Sequence, residues 1–480
     1  MKCHIANKCG GCDYINQGYQ ASLEYKNQYI KELFQEFKVK IHPIQHMDDP
    51  YGYRNKVIVA FNKDYSYGLY QEGTHKIIPY EHCLLHNEIE DGMIKKIAQL
   101  FKRYHVPIYD IRRHTGEIRH VVLRYAKNTE QYMITIVSSS ERFKGSKNFA
   151  KELTKAYPQI KTIILNTNKR DTVVVLGNRE QVLYGKGFIV DELCGLTFKI
   201  SSKSFYQINH DQCEALYAKG LSLMHLQKDD VVLDTYCGIG TIGMIAAKDV
   251  ERVIGVEKNK DAILDANINK KANNLQNITF INADATEYMK EASLEKMYVD
   301  KIIMDPPRTG STKAFIQAAC QMQPSEILYI SCGPETQVRD LKLFKKYGYT
   351  FKEVFPFDMF PFTKHVETVV MLSHKKPDSV INVKVEFGEG EGKVPLDNIA
   401  KRAEAYKPKE RVTYKMIKEY IEAKYGFKVH TAYIAEVKRD LGLPMYDAPN
   451  AVEELKQPRK HPTPEKVEAI KDALKHFEVI

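Results

Sequence analysis

From Tyr19 to Phe37 apolar and aromatic residues recur at helical spacing among Lys and Glu, which predicts an amphipathic helix. The period then changes to two. The segments KVIVAFN, YSYGLYQ, HKIIPY, RHVVLRY, QYMITIVSS, KTIILNT, DTVVVLG and EQVLYG predict strands as far as about Ile189, interrupted by one helix from about Glu88 to Tyr104. The texture shifts again at SSKSFYQINHDQCEALY, where a helix is expected to begin near His210. From there short apolar runs ending VVLD, GVE, INAD, KIIMD, ILYIS and TVVML alternate with helical stretches, the signature of a largely parallel sheet in an α/β fold. Beyond residue 375 the stretch KKPDSVINVKVEFGEGEGKVP reads as a linker. It precedes a helical tail from Leu396 in which RVTYKMIKEYIEAKYGFKVHTAYIAEVKRDLGLP resembles a small helix-turn-helix unit. The expected domains are therefore 1–190, 191–375 and 376–480.

A chain of 480 residues exceeds one ordinary core and suits roughly two to four domains. A formal charge of +10 permits a polyanionic partner without requiring one. Basic and aromatic residues interleave in the β-rich region at Tyr53, Arg54, Lys56, Arg112, Arg113, His114, Arg119, His120, Arg124 and Tyr125, a pattern equally suited to holding RNA or to a solvated strand face. In the tail, Lys424, Lys428, His430, Tyr433, Lys438 and Arg439 are candidate phosphate contacts, although the tail is nearly charge-balanced. No apolar run reaches the roughly 18 residues of a membrane-crossing helix, and MKCHIANKCGG has no apolar signal region, so a cytoplasmic protein with no membrane partner is expected. Nine cysteines in that setting point to free thiols, metal ligation or catalysis rather than disulfides.

Cys3, Cys9 and Cys12 stand close together in a Gly-rich loop, and Cys83 follows alone. Four thiolates meet on one soft metal centre if the fold returns Cys83 to the loop. The uneven triplet with a remote fourth ligand suits an iron-sulfur cluster better than zinc, while His4 and His82 keep a Cys/His zinc site open. Downstream, Gly238, Gly240 and Gly243 form G-x-G-x-x-G directly after a strand ending in Asp234. NAD and another adenosine cofactor both fit that turn. Asp234 tilts the choice, because a carboxylate there repels a pyrophosphate but suits the amine and sulfonium of S-adenosylmethionine. Glu257 and Asp284 end the next two strands, placed for ribose hydroxyls and for adenine's amino group. Asp305 ends a fourth, held by a stiff Pro-Pro turn beside Arg308. Gln207 and Asn209 sit at a strand-to-helix junction, where their amides suit a polar heterocycle or a helix cap. ILYISCGP then presents Cys332 at a strand's carboxyl end, and HVE brings His365 and Glu367 in just before the last apolar run.

The ordered set SFYQIN, LDTYCGIG, GVE, DPPRTG, ISCGP and HVE, together with the four cysteines, resembles the RNA 5-methyluridine methyltransferases, and more narrowly the iron-sulfur-containing 23S rRNA (uracil-5-)-methyltransferases. The resemblance covers approximately residues 1 to 374. It implies a class I, Rossmann-like S-adenosylmethionine-dependent methyltransferase domain, preceded by a β-rich iron-sulfur and RNA-binding domain and followed by a small helical one. It further implies Cys332 as nucleophile, Glu367 as base, and Gln207, Tyr236, Glu257 and Asp305 lining the cofactor and uracil site. Cys3, Cys9, Cys12 and Cys83 match the family's 4Fe-4S ligands. Many members begin with an extra β-barrel, which the position of Cys3 leads us to expect absent. The expected partner is 23S ribosomal RNA and the expected state a monomer. Transfer RNA is the alternative substrate; a nicotinamide oxidoreductase and a non-catalytic iron-sulfur RNA-binding protein are the alternatives from other classes.

Overall fold

The computed structural model describes residues 2–170, 174–374, 414–441 and 461–477. The chain forms two compact units, Met1–Val380 and Ile381–Ile480.

The catalytic half of the first unit is a nine-stranded sheet. Its order is Lys40–Ile41, Glu353–Phe357, Glu367–His374, Glu326–Ser331, Lys301–Met304, Val231–Thr235, Arg252–Glu257 and Ile278–Asn282, with the short Tyr349–Thr350 also paired to Glu367–His374. The five strands from Val231 to Ser331 run parallel, and Glu367–His374 inserts antiparallel, pairing Ser331 with Thr368. Being covered on both faces, these strands are apolar almost throughout, which is why their sequences read as continuous runs. One face packs on helix His210–Leu223 and the hairpin Phe188–Leu193/Leu196–Ser201. The other packs on helices that include Lys313–Gln321 and Pro334–Lys346.

The helix predicted at Tyr19 spans Tyr19–Phe34 and continues as a short tighter turn to Phe37. Tyr19 lies beside the cysteine loop, but Leu23, Ile30 and Phe34 belong to the core of the catalytic sheet. Its one internal cation, Lys26, is fully buried on Asp358, which also accepts from Tyr19 at 2.6 Å. Lys26 donates to the Phe360 carbonyl as well, at 2.9 Å. A buried ion pair this well bonded ties the helix to the loop that leads into Glu367.

The β-rich half is a seven-stranded sheet ordered Ile77–Pro79, Tyr67–Tyr70, Lys56–Phe61, Ile118–Ala126, Gln131–Ser138, Ile160–Thr167 and Arg179–Gly185. It is antiparallel except where the helix Ser146–Ala156 carries the chain across to a parallel partner. One face buries Val57, Val59, Val121, Leu123, Ile134 and Ile136 against that helix and Glu88–Arg103. Of the strand expected from DTVVVLG, the described residues Val174 to Gly177 form none. Its first three residues lie outside the described ones, and in the rest the Val174 and Val175 carbonyls accept from the Asn168 amide and that of Gly177 from Asn166, so a side chain takes the bonds a ladder would use.

In the second unit the helices Tyr414–Tyr425, Thr431–Asp440 and Pro464–His476 enclose a small core of Ile417, Ile421, Val429, Ile434, Val437, Ile470 and Leu474. Gly426, at φ 74°, turns the first helix into the second, as the KYGFKV segment predicts. The expected linker and the start of the helical tail lie outside the described residues. Several candidate phosphate contacts are engaged internally: Lys424 with Asp472 at 2.8 Å, Lys428 with Glu422 at 3.3 Å, and His430 as the cap of the second helix.

Candidate active site

The parallel strands all deliver their carboxyl ends to one edge of the catalytic sheet, where ligands of open α/β sheets bind. Val231–Thr235 ends in Asp234, Thr235 and the turn Tyr236–Gly240. Tyr236 adopts φ 63°, uncommon for a side-chain-bearing residue, and its hydroxyl lies 3.2 Å from that of Ser311. Gly240, at φ 84°, and Gly243 are held by contact: a Cβ on the first would stand 2.5 Å from Phe280, and on the second 2.5 Å from Asp234 Oδ2. The glycines thus let the turn close against the strand ends. Gly238 donates its backbone N–H to Glu257 at 3.2 Å, placing this strand-end acid beside the turn.

A cleft here is lined by Phe205, Gln207, Asp234, Tyr236, Gly238 and Asp305. Asp234 is 1% exposed, and its Oδ2 has no hydrogen-bond partner among the described residues. Burial, then the nearby Asp305, hold this carboxyl well above the usual carboxylate range. A buried carboxyl supported only by the Gly243 backbone N–H is one that an incoming ammonium would hydrogen-bond and a sulfonium would favour by charge, so the residues fit S-adenosylmethionine. Two predicted residues are more occupied locally. Asp284 accepts from Lys258 and caps the helix Ala285–Leu294, so the Lys258 hydrogen bond holds its carboxyl below the usual range. Asn209 caps His210–Leu223 and donates to the Met359 carbonyl, taking the capping alternative of the two that its position offers. Tyr206, in the irregular segment before the helix His210–Leu223, and Tyr217 and Thr241, on helices, also line the cleft, and no strand-end position marks any of them in the sequence.

Cys332 follows Ser331 at the end of the strand beside Asp305. Two turns press together at this point. A Cβ on Gly333 would lie 2.6 Å from the Arg308 carbonyl, and Thr336 Oγ1 donates to that same carbonyl at 3.0 Å. The Pro-Pro turn therefore fixes the thiol's neighbour as well as Asp305. Arg308 bonds His365 Nδ1 at 2.8 Å, which carries the DPPR turn across to the segment before Glu367. Glu367 opens the antiparallel strand and is 3% exposed. Burial and Asp305 push its carboxyl up to about 8. Burial alone raises Asp305 to about 7. Burial, then the charges of Glu367 and Asp305, push the Cys332 thiol up to about 12, with Arg308 opposing them. The thiol thus feels both acids and the guanidinium across three adjacent strand ends.

The four predicted cluster cysteines also converge. Cys3, Cys9, Cys12 and Cys83 line one cavity of about 30 Å³ with Ile5, Ile15, Leu69 and Arg54. Burial pushes the Cys12 thiol up to about 12 and Cys83 to about 11, while Arg54 opposes both. Arg54 is anchored to the Gly11 carbonyl at 3.1 Å. Among the described residues no group of three or more His, Cys, Asp or Glu side chains is spaced to hold a metal ion. Of the two neighbouring histidines, His82 is paired with Asp91 at 2.9 Å.

The fold and this cleft define an S-adenosylmethionine-dependent methyltransferase, with an α/β catalytic domain. Residues 18–375 match the model of the tRNA (uracil-5-)-methyltransferase family. An RNA methyltransferase of Halalkalibacterium halodurans is 35% identical over 380 residues, 78% of this chain and 83% of that one. Another from Oceanobacillus iheyensis is 36% identical over 381 residues, again 78% and 83%. Among solved structures, the Pyrococcus abyssi tRNA (uracil-54, C5)-methyltransferase in complex with S-adenosyl-L-homocysteine aligns with a TM-score of 0.64 at 28% identity, covering 76% of this chain and 86% of that one. The chain belongs to the RNA (uracil-5-)-methyltransferase family and is an RNA methyltransferase. Among the described residues no helix is long and apolar enough to cross a membrane.

Proposed function

We propose that this chain methylates C5 of a uridine in 23S ribosomal RNA, acting as a monomer in the cytoplasm. The observation that carries the chemistry is the placement of Cys332, Asp305 and Glu367 on adjacent strand ends, where both acids raise the thiol and Asp305 raises Glu367. Uracil C5 is a poor nucleophile. Addition of the Cys332 sulfur at C6 makes the ring an enolate whose C5 takes up the methyl group. Asp234, Tyr236, Gly238, Gly240, Glu257 and Asp284 would hold S-adenosylmethionine, whose sulfonium would supply that methyl and leave as the neutral thioether. Glu367 then removes the C5 proton, the C5–C6 double bond re-forms, and the electron pair of the C6–S bond returns to sulfur. Asp305 and Gln207 orient the uracil edge. A uridine in a stacked helix is turned outward to reach them.

We further propose that Cys3, Cys9, Cys12 and Cys83 hold a 4Fe-4S cluster. Four soft donors line one small cavity with the half-buried Arg54 beside them, a set that suits either metal; the uneven triplet with a remote fourth cysteine favours the cluster over zinc. Such a cluster would fasten the N-terminal loop to the β-rich sheet. Anaerobic purification tests this: iron and acid-labile sulfide bound in equal amounts support it, and bound zinc with neither overturns it.

Transfer RNA is the second reading, favoured by the description of the family and of the Pyrococcus abyssi structure. Mass spectrometry of both RNA classes from a deletion strain separates the two, since loss of 5-methyluridine from tRNA alone refutes the ribosomal assignment. For the mechanism, 5-fluorouridine-substituted RNA should form a stable covalent complex with the wild type and none with Cys332→Ala. An undiminished complex in that variant would show that another residue is the nucleophile.

A further inference from the structure

The face of the β-rich sheet turned away from its helices carries a cavity of about 370 Å³ that the reaction above does not use. That is within the range of small-ligand sites, about 300–1,000 Å³. Ile58 and Ala60 of one strand lie against it, together with His120 of the next and Tyr70 of a third. The tyrosine hydroxyl lies 3.0 Å from His120 Nε2, and His75 sets its ring edge-on to Tyr70, with centroids 5.9 Å apart. Arg119 at the margin is fixed over the Tyr109 ring at 4.6 Å and donates to the Asn168 and Arg170 carbonyls. His120 Nδ1 is buried and has no hydrogen-bond partner among the described residues. Burial and Arg119 push this imidazole down to about 4, so it stays neutral at physiological pH.

These features together select the occupant. With Nε2 on the Tyr70 hydroxyl, the neutral imidazole leaves Nδ1 to donate or accept according to its tautomer, the rings offer stacking faces, and the guanidinium that lines the cavity, Arg119, is already committed to two carbonyls. That suits a flat heterocycle with polar edges better than it suits a phosphate. The same sheet face continues to the catalytic crevice. Alternation along the strands puts Lys56 on the face with Ile58 and Ala60, and Arg124 on the face with His120. Those residues lie four positions away, about 13 Å along a strand. There Arg124 donates to the Ser204 carbonyl at 2.5 Å and Asn55 donates to that of Gln207 at 2.8 Å, so the sheet is bonded directly to the rim of the cofactor cleft. Lys56 supplies a cation on that track.

We propose that this cavity is a nucleobase pocket: it receives an unpaired base of the RNA substrate, near in sequence to the uridine presented to Cys332. The inference rests on the RNA reaction proposed above. Tyr70 and His120 act as positioning residues, holding the strand while the target base is in the crevice.

The test uses Tyr70→Ala, His120→Ala and the ring-preserving Tyr70→Phe in the full-length protein. The first two should raise KM for rRNA about ten-fold, in line with the loss of one stacked base, and leave kcat nearly unchanged. Tyr70→Phe should keep most of the affinity, and S-adenosylmethionine binding should be unaltered in all three. A second measurement uses fluorescent single-stranded RNA of mixed sequence and, beside it, an abasic chain of equal length. The alanine variants should bind the base-bearing RNA more weakly and the abasic chain as the wild type does. Equal losses on both chains, or no loss on either, overturn the pocket. If an alanine variant does not fold, photocrosslinking of 4-thiouridine RNA to the wild type decides: crosslinks within residues 67–80 or 118–126 support it, and a map without them overturns it. Because binding is measured without methyl transfer, a protein that discriminates between the two chains yet methylates no uridine keeps the pocket and refutes only the proposed reaction.

Discussion

Replacing Glu367 with Gln should make the protein more stable as the pH rises while stopping turnover. The carboxyl lies 3% exposed with Asp305 nearby, and burial and that neighbour raise it from 4.5 to about 8. Between those values the native state holds a proton that the unfolded chain has released, so each rise in pH favours unfolding. Stability fully present below pH 4.5 is therefore lost progressively up to about pH 8 and is constant above it. At about 1.4 kcal/mol for each pH unit, this interval amounts to roughly 5 kcal/mol. Glutamine has no such ionisation. Scanning calorimetry of both proteins across the interval should show the melting temperature of Glu367→Gln gaining on the wild type up to about pH 8, after which the gap stays fixed. On 5-fluorouridine-free RNA the same variant should accumulate a covalent protein–RNA species, because the C5 proton is not removed. A pH-independent gap would refute the burial argument, and normal turnover would refute the assignment of the base.

With its thiol raised to about 12, Cys332 should react slowly with iodoacetamide at neutral pH, and above about pH 8, where Glu367 is ionised, Glu367→Gln should speed the reaction by removing a neighbouring negative charge; equal rates by mass spectrometry at that pH would refute the coupling. Lys26→Met should cost about 3–5 kcal/mol in denaturant unfolding because Asp358 is left buried and unpaired, and adding Asp358→Leu should recover much of the loss. Gly333→Ala should lower kcat by about a hundred-fold with S-adenosylmethionine affinity retained, since the Cβ collides with the Arg308 carbonyl and moves the thiol, not the cofactor turn. Calorimetric titration should find S-adenosylmethionine affinity rising between about pH 6 and 8 as the buried acids ionise, and that of the uncharged thioether S-adenosyl-L-homocysteine rising less; parallel curves would show that the sulfonium does not meet these acids.

Much of this arrangement was legible because it is local. The glycine turn, the strand-end acids and the SCGP turn each depend on a few consecutive residues, and an α/β sheet necessarily gathers strand ends. Cys332 and Glu367 are far apart in sequence, but the antiparallel insertion that pairs Ser331 with Thr368 brings them to one edge. What was not legible is set by distant partners. Nothing near Lys26 indicates that Asp358, 332 residues on, takes it into the interior. The interleaved basic residues of the β-rich region likewise looked alike in sequence, yet Arg54 turns to the cysteines, Arg119 and Arg124 bond carbonyls, and Arg112 and Arg113 remain exposed. Strand alternation assigns a face but cannot tell which cations a neighbouring loop will occupy.

The proton inventory of the crevice connects these strands of argument. Burial disfavours the charged form of Asp234, Asp305, Glu367 and Cys332 alike, so near neutral pH the free cleft holds Glu367 largely protonated and Asp305 about half so. Three carboxylates and a thiolate within one apolar edge would repel one another without a compensating charge, and Arg308 supplies only part of it. A cationic methyl donor reverses that balance by favouring ionisation of the acids around it. A base competent to take the C5 proton is then available when a methyl group is present to be transferred, and the thiol is not left as an exposed thiolate beforehand. The high pKa of Cys332 is therefore no argument against the role of nucleophile proposed for it. It is the expected state of a nucleophile whose partners are completed by its substrates.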